Sequence, residues 1–261
     1  MLLENKNAVI YGGGGAIGGA VAREFAREGA CVFLAGRTRE KLEAVATDIE
    51  AAGGSAEVAV LDALDERAVD EHTEGVISQA GSIDVSFNLI TRGDLQQIPL
   101  VDMEVADFVR PVMTGITTNF ITARAAARQM TKQGAGVILA LDSGSANKSP
   151  MMGGTGPADA ATDSLIRNLA NEIGPRGVRA VGIWTAGLPE TLSREKMAPY
   201  VGGHLDEATY QGILKNLDEM RMTRLSPTLA QLSATAAFLA SDHAAAITGT
   251  FVNVTSGTFP S

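Results

Sequence analysis

Apolar runs and helical patterns alternate from one end of this chain to the other, and that rhythm restricts the fold more than any single residue does. Runs at Ala8–Tyr11, Cys31–Ala35, Ala56–Leu61, Ile83–Ile90, Gly136–Leu141, Val178–Trp184 and Thr250–Val254 read as strands. Between them, Ile17–Glu28, Glu40–Ala52, Glu66–Ala80, Val105–Gln133, Ala158–Ile173 and Gln231–Ser241 carry helical spacing. A strand–helix repeat of roughly 30 residues implies βαβ crossovers and a parallel sheet. Strands that are apolar on both faces imply helices on both sides. The expected fold is therefore α/β, a doubly wound parallel sheet in three layers.

The chain has 261 residues and shows no linker, low-complexity tract or short repeat, so residues 1–261 are read as one domain. One segment breaks the rhythm. Residues 188–224 are rich in Met, Tyr and charge, and follow a strand at the end where such sheets bind ligands. An insertion there is read as a lid or substrate element. The formal charge of −9 repels phosphate backbones and anionic lipid heads, which argues against nucleic-acid or membrane partners. The single cysteine, Cys31, cannot form an internal disulfide. With no secretory or spanning pattern, a cytoplasmic protein is expected. No metal site is expected.

The loop Tyr11-Gly12-Gly13-Gly14-Gly15-Ala16-Ile17-Gly18 joins the first strand to the first helix. Glycines there permit a tight turn and let backbone amides of Gly12, Gly14, Gly15, Ile17 and Gly18 approach a pyrophosphate at the helix N-terminus. The helix dipole supplies attraction that an acidic protein otherwise lacks. The second strand ends in Gly36-Arg37-Thr38-Arg39, where a carboxylate would be expected for a ribose 2′-hydroxyl. Arg37 suits a 2′-phosphate instead, so NADP(H) is expected over NAD(H); the bland reading is a solvated turn. Asp62 and Ala63, ending the third strand, are placed to meet the adenine, although Asp62 could equally cap the next helix.

These residues carry a resemblance. Gly12-xxx-Ala16-Ile17-Gly18 resembles the glycine signature of the short-chain dehydrogenase/reductase family. Asp84–Asn88 resembles the strand leading into that family's Asn-Asn-Ala-Gly motif, of which Asn88 alone remains. Gly136–Ser143 resembles its serine-bearing strand, and Asn171–Arg179, Phe238–Asp242 and Ile247–Gly249 resemble its later signatures. The resemblance implies a Rossmann-like fold and places the family's catalytic serine at Ser143. Counting thirteen and then four residues onward for its tyrosine and lysine reaches Gly156 and Ala160. Its helical asparagine falls at Gly115, with Asn119 one turn on. Gly187 and Thr191, in the loop that normally touches the nicotinamide, remain candidate cofactor residues.

A chain without that tyrosine needs another acid for carbonyl reduction. Asp142, Asp159, Asp163, Tyr200 and His204 are the candidates, with Asp142 weighed against a turn or cap role, and Asp159 and Asp163 against first-turn helix acids. Three functions are compatible with these residues. One is an NADP(H)-dependent oxidoreductase with a non-standard site. Another is an inactive subunit or binding protein supporting an active homologue. The third is a non-redox dehydratase or isomerase using Asp142 and Ser143. The resemblance implies a homo-oligomer, dimer or tetramer, packed through the helices at Val105–Gln133 and Ala158–Ile173, with Ala158, Ala160, Ala161, Leu165 and Leu169 as the packing face.

Overall fold

The computed structural model describes residues 1–146, 148–197 and 205–259. Seven parallel strands form one sheet in the order β3-β2-β1-β4-β5-β6-β7: β1 (Asn7–Tyr11), β2 (Cys31–Gly36), β3 (Ser55–Val60), β4 (Val85–Asn88), β5 (Gly136–Asp142), β6 (Val178–Thr185) and β7 (Phe251–Val254). The order reverses between β1 and β4, which opens a crevice at the carboxyl ends of those strands.

Alternation along β1 divides the core. Ala8 and Ile10 face α1 (Ala16–Arg27), α2 (Arg39–Ala51) and α8 (Leu229–Ala240), where Val21, Phe25, Leu42, Ile49 and Leu232 are buried. Val9 and Tyr11 face α3 (Glu66–Ala80), α4 (Val105–Gln133) and α5 (Thr155–Ile173), where Val69, Val76, Ile121, Met130 and Ile166 are buried. Two cores on two faces of one sheet make the expected three-layer α/β architecture. The short α6 (Arg194–Met197) and α7 (Glu207–Glu219) lie in the segment that broke the sequence rhythm.

Some boundaries differ from the sequence reading for local reasons. Helix α5 starts at Thr155, ahead of Ala158, because Pro157 falls in the first turn, where no amide is needed. Helix α8 starts at Leu229, since Thr228 and Gln231 form a reciprocal capping box. Strand β3 is not apolar on both faces: it is the sheet edge, and Ser55, Glu57 and Val60 are exposed. Among the described residues no helix is long and apolar enough to cross a membrane.

Candidate active site

The carboxyl ends of β1, β2, β3 and β4 surround an open crevice. It is lined by Gly12, Gly14, Gly15, Gly36, Arg37, Thr38, Lys41, Leu42, Asp62, Ala63, Leu64 and the Leu89–Thr91 turn, and ends at Thr114. Gly12 turns the chain at φ +80, a conformation L side chains rarely adopt, and a Cβ there would collide with the Leu89 carbonyl. A Cβ at Gly18 would collide with the carbonyl of Gly12, so α1 can start this close to β1 only with glycine. Gly15 caps α1 with extended backbone and no side-chain bond, and both it and Ala16 are exposed. The first amides of α1, just behind the lining residues Gly14 and Gly15, therefore have no i−4 carbonyl to bond. No acidic residue stands in that first turn to compete for them.

Charge on the rim is unbalanced. Arg39 is engaged with Glu43 at 3.4 Å. Arg37 and Lys41 are exposed and, among the described residues, have no ion-pair or hydrogen-bond partner. Lys41 is a site residue the sequence reading missed; its signal was the spacing of four from Arg37 around the start of α2. Asp62 does not cap α3. Asp65 does, accepting from Arg67 N and Ala68 N, while Asp62 Oδ1 accepts from Leu64 N at 3.0 Å and shapes the crevice wall. Asn88 lies beneath this floor, buried, donating to Thr122 Oγ1 at 3.4 Å and accepting from Ile90 N at 3.0 Å. Ile17, Gly18, Gly187 and Thr191 are not on the lining.

A second cluster stands at the end of β5. Asp159 is fully buried. Its Oδ2 accepts from Ser143 N at 3.2 Å, Ser143 Oγ at 2.5 Å, Ser145 N at 3.0 Å and Ser145 Oγ at 2.8 Å. Its Oδ1 receives Arg92 Nη1 at 2.7 Å. Arg92 comes from the loop after β4 and also holds Asp94, through Nη2 at 3.0 Å and Nε at 3.3 Å. Asp94 accepts from Thr155 Oγ1 at 2.9 Å, and Gln96 bonds the same hydroxyl at 3.3 Å. Arg92 reaches this place because Gly115 has no side chain; a Cβ there would lie 2.8 Å from its Cδ. Asn119 is turned away, donating to the Gly115 carbonyl at 3.0 Å.

This geometry corrects two sequence expectations. Asp159 and Asp163 are not first-turn acids: α5 has none in that turn, and both are buried. The positions reached by counting, Gly156 and Ala160, have different settings. Ala160 is exposed, and Gly156 packs against Ser149 and Ser145. An α-helix rotates about 100° per residue, so a shift of one changes the face. The face turned to the serine carries Asp159, with Thr155 one turn before. Ala158 is also corrected: it is fully buried, so it cannot belong to an outer packing face.

Asp142 is buried beside this cluster. Its Oδ1 accepts from Gly144 N at 2.9 Å, and its Oδ2 has no partner. Burial, and then the neighbouring Asp159, push its carboxyl up to about 9, against the pull of the Gly144 amide and Arg92. Burial thus favours the protonated carboxyl. Asp163 is occupied by Trp184 Nε1 at 3.2 Å and Arg167 at 3.1 Å. The loop after β6 is held from behind by Arg221, whose Nη2 donates to the carbonyls of Ala186 at 2.8 Å and Gly187 at 3.2 Å. Tyr200 and His204 lie outside the described residues.

Comparison with known proteins places this geometry. The family model described as enoyl-(acyl carrier protein) reductase matches residues 14–258. The 7α-hydroxysteroid dehydrogenase of Escherichia coli K12 is 31% identical over 182 residues, covering 69% of this chain and 70% of that protein. The L-rhamnose 1-dehydrogenase (NAD(P)+) of Azotobacter vinelandii is 29% identical, covering 99% and 98%. Among solved structures, an NAD+-bound xylitol dehydrogenase superposes with a TM-score of 0.87 at 24% identity, covering 98% of this chain and 100% of that one, a likeness of fold. A sheet of this strand order, a glycine turn at its switch point and a match spanning residues 14–258 together show that the chain belongs to the short-chain dehydrogenase/reductase family.

Proposed function

We propose that this protein is an NADP(H)-binding oxidoreductase whose site at the end of β5 is rebuilt without the family's tyrosine and lysine. The observation that carries the reading is the glycine cradle with two unpaired cations, Arg37 and Lys41, on one crevice rim. The residues fit a phosphorylated dinucleotide: amides at the start of α1 for the pyrophosphate, Arg37 and Lys41 for a 2′-phosphate, and Asp62 with Ala63 for the adenine side. Asn88 acts indirectly by holding the Leu89–Ile90 turn, and Gly187 and Thr191 serve the nicotinamide end from the β6 loop.

When bound, the reduced dinucleotide supplies a hydride. Ser143 orients the reacting group. Asp142, adjacent in sequence and protonated, holds a proton in reserve, a role that needs a small opening because it is buried here. The segment 188–224, with α6 and α7, closes over the site as a lid. The outer faces of α4 and α5, where Phe120 is exposed under the Arg124 guanidinium and Leu165 and Leu169 line a groove, serve homo-oligomer assembly as a dimer or tetramer.

Calorimetric titration tests the reading: NADPH is expected to bind and NADH to bind more weakly. Loss of binding to both would end it. One observation favours a second reading, a dinucleotide-binding subunit that supports an active homologue. Both hydroxyl protons of the β5 cluster are used on Asp159 or between the serines. NADPH binding without any substrate-dependent change in nicotinamide absorbance would favour it.

A further inference from the structure

Hydrogen-bond polarity at Ser143 points to a class of substrate. A serine that assists carbonyl reduction must donate its proton to the carbonyl oxygen, because that oxygen only accepts. Here Asp159 Oδ2, also an acceptor, lies 2.5 Å from Ser143 Oγ and 2.8 Å from Ser145 Oγ, and the two hydroxyls are 2.9 Å apart. In this arrangement Ser145 donates to Asp159 Oδ2 and Ser143 donates to the same oxygen or to Ser145, so both protons stay inside the cluster. Ser143 is therefore left with an oxygen lone pair, not a proton, to offer a ligand. The surrounding charge has the same sense: Asp94 and Asp159 stand against the single guanidinium of Arg92.

From this we infer that the site accepts a cationic carbon–nitrogen double bond, a protonated imine, whose N–H donates to Ser143 Oγ in the negative field of Asp159 and Asp94. The inference rests on the NADP(H) reading above. It also removes the chemical difficulty left by a missing tyrosine. Hydride forms a new C–H bond at the iminium carbon, and the C=N π pair moves onto nitrogen. That pair neutralises the positive charge as the dihydronicotinamide is oxidised. No proton is needed in the step, and the amine takes one from solvent afterwards. A ketone would leave an alkoxide facing a lone pair and two carboxylates, with the reserve proton on the buried Asp142.

The test compares shape-matched ligands on the NADPH-saturated protein. By calorimetry, 2-methylpyrrolidine, a cation at neutral pH and not reducible, is expected to bind at least 10-fold tighter than 2-methylcyclopentanone. Ser143→Ala is expected to weaken the amine several-fold and leave the ketone unchanged. Asp94→Asn, in a half-buried loop position, is expected to narrow the difference without relying on the fully buried Asp159. In turnover, 2-methyl-1-pyrroline is expected to consume NADPH faster than the ketone. Equal or tighter ketone binding, or faster ketone reduction, by a protein that binds NADPH would overturn the inference and leave the cofactor reading standing. Failure to bind NADPH would overturn both.

Discussion

The carboxyl ends of β1–β3 and of β5 are built on opposite terms. At the carboxyl ends of β1–β3 the structure leaves groups unsatisfied: helix amides capped by a glycine, and two exposed cations with no counterion among the described residues. At the end of β5 the side-chain donors of Ser143 and Ser145 and the Arg92 guanidinium find acceptors inside the cluster, and Arg92 occupies the space left at Gly115. An open polar surface waits for a ligand to complete it, whereas the Asp159 network draws its donors from the chain itself, with only Asp142 Oδ2 beside it left unpartnered among the described residues. The comparison teaches that the two regions can be altered separately, so the proposed cofactor and substrate roles can be tested apart.

The largest effect should come from breaking the closed end. Arg92→Ala leaves the fully buried Asp159 without its cation and is expected to cost about 3–5 kcal/mol, measured by denaturant unfolding. A loss under about 1 kcal/mol would show that the pair is not the centre of the network. At the open end, Gly12→Ala forces a side chain into a positive-φ turn against the Leu89 carbonyl. It is expected to cost roughly 2–4 kcal/mol and to abolish dinucleotide binding. The double variant Arg37→Ala, Lys41→Ala should change neither stability nor NADH affinity. It should weaken NADPH by about 10- to 100-fold, as expected for lost charge-assisted bonds of about 1.5–3 kcal/mol. Equal loss for NADH would mean that the two cations hold the pyrophosphate and not a 2′-phosphate.

The last effect is a slope with pH, not a step at one pH. Asp142 in the folded protein titrates at about 9, far above its ordinary 3.8. A raised folded pKa gives a contribution that is whole below the unfolded value and is lost as pH rises through the folded one. Stability should therefore fall between about pH 4 and pH 9, and Asp142→Asn should flatten that fall. An unchanged slope would place the buried proton elsewhere.

Much of the open end was legible in one dimension. Gly12 to Gly18 form a contiguous stretch, and Arg37 is marked by the strand it follows. Lys41 was missed because its role depends on which way the first turn of α2 faces. The closed end was harder. Asp159 reads as a helix acid, and Arg92 as a loop cation; nothing local joins residues 67 apart in the chain. Counting from Ser143 reaches Gly156 and Ala160, but spacing across a loop does not say that Asp159 is the residue that meets the serine.

Periodicity, glycines and strand-end residues, all local properties, determined the layered α/β sheet and the position of its glycine turn. Tertiary packing alone decided which face of α5 meets β5, that Arg92 enters over Gly115, and that Asp159 takes the serine protons. The physical reason is range: steric turns and amphipathic spacing are written within a few residues, whereas buried charges are set by whichever distant groups the folded chain brings within hydrogen-bond reach.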